Sequence, residues 1–275
     1  MKDVSVLFVG DPRHREFRAA IEWLEKNANV VYARNLAAIG ERWHSAANGF
    51  ELIVLGAARP GEYSADAIDN LRRVMPLTRW LALLGSWCEG ELRSGQPWSG
   101  VYRTYWHQWP ARLAPELRNL EAGRCPVWGR ALTMTPAEEV LHVRQSSVPA
   151  IERLIVVHAA DRESTGALRD VCQHLGYATV CAVGDHLPEV SGAAAVVWDA
   201  APSDDPHWQR LRRLSHHYGP TPLLATLSFP RSDTVNQLLD QGAQQVLSKP
   251  FFLHDFSWLL GEMIQTRQAE NVAAA

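Results

Sequence analysis

From Ile151 onward the chain alternates short apolar runs with stretches of helical spacing, and this pattern limits the fold more than any other feature. The runs are Arg153–Val157, Ala178–Val183, Ala194–Trp198, Pro222–Thr226 and Gln245–Leu247. An apolar run without polar alternation is buried on both faces, as in a parallel sheet covered by helices. Between the first two runs, Leu168, Val171, Cys172 and Leu175 share one helical face. Trp208, Leu211 and Leu214 mark a second helix, Val235, Leu238 and Leu239 a third, and Phe256, Leu259, Leu260 and Met263 a fourth. This order predicts an α/β, flavodoxin-like doubly wound sheet of five parallel strands.

The first half repeats the pattern, so two tandem sheets of this kind are expected. Val4–Val9, Val30–Tyr32, Leu52–Leu55 and Trp80–Leu84 read as strands. Phe17, Ile21 and Leu24 lie on one helix, and Ile68 and Leu71 on another. Leu81 to Ser86 lies at a constant offset of 142 from Leu223 to Ser228, the kind of self-similarity a duplication leaves. The expected division is a first domain over 1–132, a linker over 133–150, a second domain over 151–268 and a disordered tail over 269–275. Within the linker, Thr135-Pro136-Ala137-Glu138 is a helix start, with Thr as cap and Pro at the first helical position. The first half departs from the pattern over 86–109, where Trp87, Trp98, Trp106, Trp109, Tyr102 and Tyr105 are interleaved with Gly, Pro and Arg. No period fits that stretch, and it reads as an ordered loop or short helix.

Composition narrows the function. A formal net charge of -3 provides no electrostatic footprint for nucleic acid or an anionic membrane. Neither half has a basic recognition element, which argues against a DNA-binding regulator. Cys88, Cys125, Cys172 and Cys181 form no CxxC pair, and the chain enters a strand with no basic and apolar leader, so a reducing cytoplasm is expected. Lysine occurs only at Lys2, Lys26 and Lys249, which gives the last of these added weight.

Asp199 ends the run Ala195-Val196-Val197-Trp198-Asp199. Fifty residues later, Lys249-Pro250 ends Val246-Leu247-Ser248. These residues and their spacing resemble the response-regulator receiver domains of bacterial two-component signalling and phosphorelays. The resemblance covers 151–268. It implies that Asp199 is the phosphoacceptor, that Lys249 contacts the phosphoryl group, and that a cis peptide precedes Pro250. A switch hydroxyl is implied at the end of the fourth strand. Leu227 stands at the first alignment position, with Thr226 and Ser228 as the nearest hydroxyls. The acid pair of the family falls on His158 and Ala159, which cannot supply two carboxylates; Asp161 lies nearby but suits a helix cap better. Magnesium is held by one or two carboxylates plus phosphate and water, so only a weak magnesium site is expected, with Asp199 and Asp161 as its acids. In the first half, Asp11 matches one member of an acid pair and Gly56 stands where the phosphoacceptor belongs. No Lys-Pro follows.

The chain is therefore expected to be a non-enzymatic signalling or scaffold protein, a tandem pseudo-receiver acting through protein contacts, with phosphorylation at Asp199 lost or weak. The expected partners are proteins, among them a histidine kinase or a second copy. A dimer would use the last helices, around Phe251, Phe252 and Trp258. The alternative is a small-ligand sensor or enzyme whose site, at the strands' carboxyl ends, would gather His158, Asp161, Asp199 and Lys249. Other features have plainer readings. Adjacent His216 and His217 diverge on a helix. Cys88, His107 and Cys125 lack zinc spacing. Ser164-Thr165-Gly166 is a helix start rather than a flavin loop.

Overall fold

The computed structural model describes residues 4–39, 49–89, 91, 98–109, 112–114, 116–117, 153–200, 207–228, 230–251 and 253–274. The expected linker helix and Cys125 lie outside these residues. The chain divides into two compact units, Met1–Leu132 and Thr133–Ala275.

Unit 1 contains β1 (Ser5–Val9), α1 (Arg18–Asn27), β2 (Asn29–Ala33), β3 (Leu52–Ala57), α2 (Ala65–Val74), β4 (Arg79–Leu84) and β5 (Tyr102–Tyr105). Its five-stranded sheet is parallel throughout, in the order β2-β1-β3-β4-β5. Alternation along each strand sends Val6 and Phe8, Leu52 and Val54, Leu81 and Leu83 to one face, against Ala20, Ile21 and Leu24 of α1. Leu7, Val9, Ile53, Leu55, Ala82 and Leu84 face the other way, against Ile68 and Tyr63. The aromatic stretch read as an ordered loop or short helix holds short 3-10 turns at Ser86–Cys88 and Trp106–Gln108 and also supplies β5, paired Leu81↔Tyr102 through Leu84↔Tyr105. Only four residues long and at the sheet edge, β5 is too short to show a period, and Trp98, Trp106 and Trp109 on either side mask its alternation. Beyond it, Trp109, Leu113 and Leu117 close the core over α1.

Unit 2 contains β6 (Leu154–Ala159), α3 (Arg162–His174), β7 (Ala178–Val183), β8 (Ala195–Ala200), α4 (His207–Tyr218), β9 (Leu223–Ser228), α5 (Ser232–Asp240), β10 (Gln245–Lys249) and α6 (Leu253–Ala274). Its strands are also all parallel, in the order β10-β9-β8-β6-β7. Renumbered within each unit, both orders are 2-1-3-4-5, the flavodoxin-like doubly wound topology. Four of the five strands run past the expected ends, because their last residues are polar or small yet still paired. Asp199 is thus inside β8 and not at its terminus. Residues 184–194 carry no helix. The flank of α4 holds that connection instead: Arg210 bonds the Gly184 carbonyl and pairs with Asp185 at 2.9 Å, and His217 Nε2 lies 3.1 Å from the Pro188 carbonyl oxygen. The final helix reaches Ala274, into the stretch expected as a tail. Among the described residues no helix is long and apolar enough to cross a membrane.

Candidate functional site

The site is built by register. In unit 2, Val157 pairs with Cys181 and with Val197. Cys181 and Thr179 are on the face covered by α3, since Gln173 Nε2 donates to Thr179 Oγ1 at 3.3 Å. Two residues further along the same face come Ala159 on β6 and Asp199 on β8. Asp199 pairs with Thr226, Thr226 with Leu247, and Lys249 follows two residues on. Ala159, Asp199, Thr226 and Lys249 therefore converge at the carboxyl edge on the α3 side, where doubly wound sheets place their sites.

Asp199 is 5% exposed. Lys249 Nζ donates to its Oδ1, and the buried Thr226 hydroxyl donates to the same oxygen at 3.3 Å. The Lys249–Pro250 peptide is cis. Thr226 rather than Leu227 faces the carboxylate, because Leu227 is one residue along the pleat and points away. Ser228 is exposed at the end of β9, opposite Lys249 in register. Asp161 takes the other role foreseen for it: it caps α3, accepting from Ser164 N at 2.8 Å and Ser164 Oγ at 3.0 Å. Those bonds, the backbone one first, lower its carboxyl pKa. The cap places Ser164 and Thr165 in the first turn of α3, with Gly166 just after it.

His158 does not belong to this site. It pairs with Trp198 on the opposite face and is 1% exposed, and neither ring nitrogen makes a hydrogen bond of regular geometry. Burial first, then the Arg210 guanidinium, pushes its pKa down to about 4, while the nearby Gly184 carbonyl and Asp185 act weakly against them. The resemblance put the two members of the family's acid pair on His158 and Ala159. The pleat separates them, and the position beside Asp199 is Ala159. The four-residue pocket imagined for a ligand sensor is not formed, since His158 lies behind the sheet. Asp199 contributes one carboxylate, already neutralised by Lys249, and no cluster of three metal-binding side chains exists among the described residues.

In unit 1 the face covered by α1 corresponds to the face covered by α3. Matching faces gives an offset of 143, taking Gly56 to Asp199, Leu83 to Thr226 and Trp106 to Lys249. The 142 offset seen in the sequence pairs Leu81 with Leu223, whose side chains face opposite sides. A one-residue slip of this kind inverts a whole strand. Gly56 stands at the place that Asp199 holds in unit 2. A Cβ there would lie 2.6 Å from Phe8 Cζ and 3.2 Å from Phe17 Cε2, so aromatic rings fill the space that Asp199 and its partners occupy in unit 2. Asp11 is spent on its own turn, accepting from Arg13 N at 2.9 Å. Around the carboxyl edge, the buried Glu16 accepts from Ser86 N at 2.9 Å and Ser86 Oγ at 2.6 Å. Arg103 pairs with Glu91, and His107 Nε2 is 3.4 Å from Glu89. Burial pushes the Cys88 and Cys172 thiols up to about 12, so neither is a nucleophile at neutral pH.

The surface expected for dimerisation is only partly described. Phe251 stacks on the buried Phe256 at 5.4 Å, Trp258 is half-buried, and Phe252 lies outside the described residues. Neither described side chain is exposed, so the expected apolar patch is not seen among them.

No protein-family profile and no curated protein matches the chain. The solved structures similar to it include response-regulator receiver domains. A response regulator receiver domain protein from Clostridium thermocellum aligns over 42% of this chain and 98% of its own, at 15% identity and a TM-score of 0.39. A receiver protein from Pseudoalteromonas atlantica aligns over 42% and 98%, at 17% identity and 0.37. The C-terminal part of E. coli RcsC, containing a linker region and a phosphoreceiver domain, aligns over 98% of this chain and 96% of its own, at 13% identity and 0.33.

Proposed function

We propose that the chain is a non-enzymatic signalling protein with two receiver-like domains, acting through protein contacts, in which phosphorylation at Asp199 is lost or weak. One observation carries this reading: Asp199 is held by Lys249 and Thr226, and the residue beside it on the same face is Ala159 rather than an acid. Phosphoryl transfer to a carboxylate brings anions together, and a divalent metal normally offsets their repulsion. Here the Asp199 carboxylate is balanced by the Lys249 ammonium, and Asp161, the other carboxylate near that ammonium, is bound to Ser164 at the start of α3, so a dication gains little by entering. Lys249 and Thr226 would still hold a phosphoryl oxygen, which is why the arrangement reads as a receiver whose metal site is gone. In unit 1 the acceptor and the cation are both replaced, by Gly56 and Trp106, which leaves a binding module. A histidine kinase or another signalling protein is the class of partner this supports.

The test is fluorine NMR of beryllofluoride, an acyl-phosphate mimic, with and without magnesium. The parent chain is expected to show no magnesium-dependent bound resonance. Ala159→Asp restores an acid beside Asp199 and is expected to gain one, which Asp199→Asn in the same background removes. A saturable resonance in the parent that disappears in Asp199→Asn would overturn the loss of phosphorylation.

A further inference from the structure

Unit 1 has a cavity of about 580 Å³ at the carboxyl ends of β1 and β2, lined by Gly10, Asp11, Arg13, Tyr32, Ala33 and Arg34 among others. We infer that this cavity binds a nucleoside monophosphate, with the phosphate between Arg13 and Arg34 and the base against Tyr32. The volume falls within the roughly 300–1,000 Å³ of small-molecule sites. The location, outside the carboxyl ends of parallel strands, is where α/β sheets bind ligands.

The charge pattern selects an anion. Arg13 comes from the turn after β1 and Arg34 from the residue after β2, so two separate connections bring guanidinium groups to one cavity. Among the described residues neither pairs with a carboxylate. One acid, Asp11, also lines the cavity and accepts from Arg13 N, and Glu25 accepts from the Tyr32 hydroxyl at 2.7 Å, so two guanidinium groups outweigh the single lining carboxylate. Two planar forks facing a shared space suit the oxygens of a phosphate monoester.

The walls select the rest of the ligand. The Tyr32 ring is fixed at both ends, by its edge contact with Phe8 (6.0 Å, 62°) and by the bond to Glu25, yet it stays 37% exposed. A rigid, half-open aromatic ring is a stacking platform that loses little side-chain entropy on binding. The floor at Gly10 is bare backbone at φ 127, where a Cβ would lie 2.7 Å from the Gly56 carbonyl oxygen and 2.8 Å from the Tyr63 hydroxyl. In unit 2 the corresponding residues are Cys181 for Tyr32 and Val183 for Arg34, so both the platform and one cation belong to unit 1 alone.

The experiment is calorimetric titration of the full chain with AMP, inorganic phosphate and adenosine at low ionic strength. AMP is expected to bind saturably and more tightly than either fragment. In Arg13→Ala/Arg34→Ala, AMP affinity is expected to fall by about tenfold or more, in line with the loss of charge-assisted bonds. In Tyr32→Val, AMP is expected to bind no better than phosphate. Both arginines are exposed, so the double variant keeps its fold, which circular dichroism verifies. Absence of saturable AMP binding, unchanged affinity in the double variant, or equal affinity for AMP and phosphate would each overturn the site. None of these outcomes bears on Asp199.

Discussion

At the scale of single residues, His158 makes the clearest prediction. Its imidazole is buried against the Arg210 side of the sheet, and its pKa falls from an ordinary 6.5 to about 4 on folding. The unfolded chain therefore binds more protons than the folded one between those values. This contribution is complete above pH 6.5 and is lost as pH falls toward 4. Denaturant titrations across that interval should show unit 2 losing roughly 2 kcal/mol more in the parent than in His158→Leu, an order-of-magnitude figure from the shift. Equal slopes in the two proteins would mean that the imidazole charges freely in the fold. Arg210, Asp185 and His186 are the charged and titratable groups around it, and all three stay in the variant. Asp199 and Lys249 were legible because their chemistry is unusual at strand ends. That Ala159 and not His158 sits beside Asp199 was not, because a letter string does not show which way a pleat turns.

At the scale of elements, the sequence revealed the core strands and the edge strands β2, β7 and β10, and hid the edge strand β5. Runs such as Val196–Trp198 are apolar on both faces and could be read directly, whereas β5 is a four-residue edge strand whose adjacent Arg103 and Thr104 sit between two tyrosines. Its signal existed: matching faces places Thr104 opposite Leu83 as Leu247 lies opposite Thr226. The start of α3 was the most legible helix boundary, since Asp161 precedes Ser164 at capping distance. Asp161→Ala is expected to lower the unfolding midpoint of unit 2, and Asp161→Asn to preserve most of it. Because the carboxyl pKa is lowered by the Ser164 amide, the cap's contribution holds above the ordinary carboxylate pKa of 3.8 and is lost below it. If Asp161→Ala leaves the midpoint unchanged while His158→Leu moves it, the bond to Ser164 is not maintained in solution.

At the scale of the whole molecule, two sheets of the same strand order are formed by segments of similar length, each with its own buried core. Two cooperative units on one chain are expected to unfold in two transitions. Fragments 1–132 and 133–275, expressed separately, should each reproduce one of them by calorimetry. A single transition in the full chain, with both fragments unfolded, would mean that neither unit is an independent domain. The presence of two such sheets was readable from the repeated pattern, but the exact correspondence was not, because offsets of 142 and 143 both align apolar residues and only the packing against α1 and α3 separates them.

The rings of Phe8 and Phe17 over Gly56 have a historical consequence. In unit 2 the residue beside Asp199 on the same face is the small Ala159, so a single substitution sets a second acid next to that carboxylate. Unit 1 has no such route. Any side chain at Gly56 meets Phe8 within 2.6 Å, and an aspartate there would still face Trp106 where a lysine is needed. Each single step back buries an unpaired charge or collides with a packed ring, so each is selected against before the next can help. The aromatic plug works as a ratchet: unit 1 can diverge further around its packed rings, while a carboxylate at the place Asp199 holds in unit 2 is closed to it.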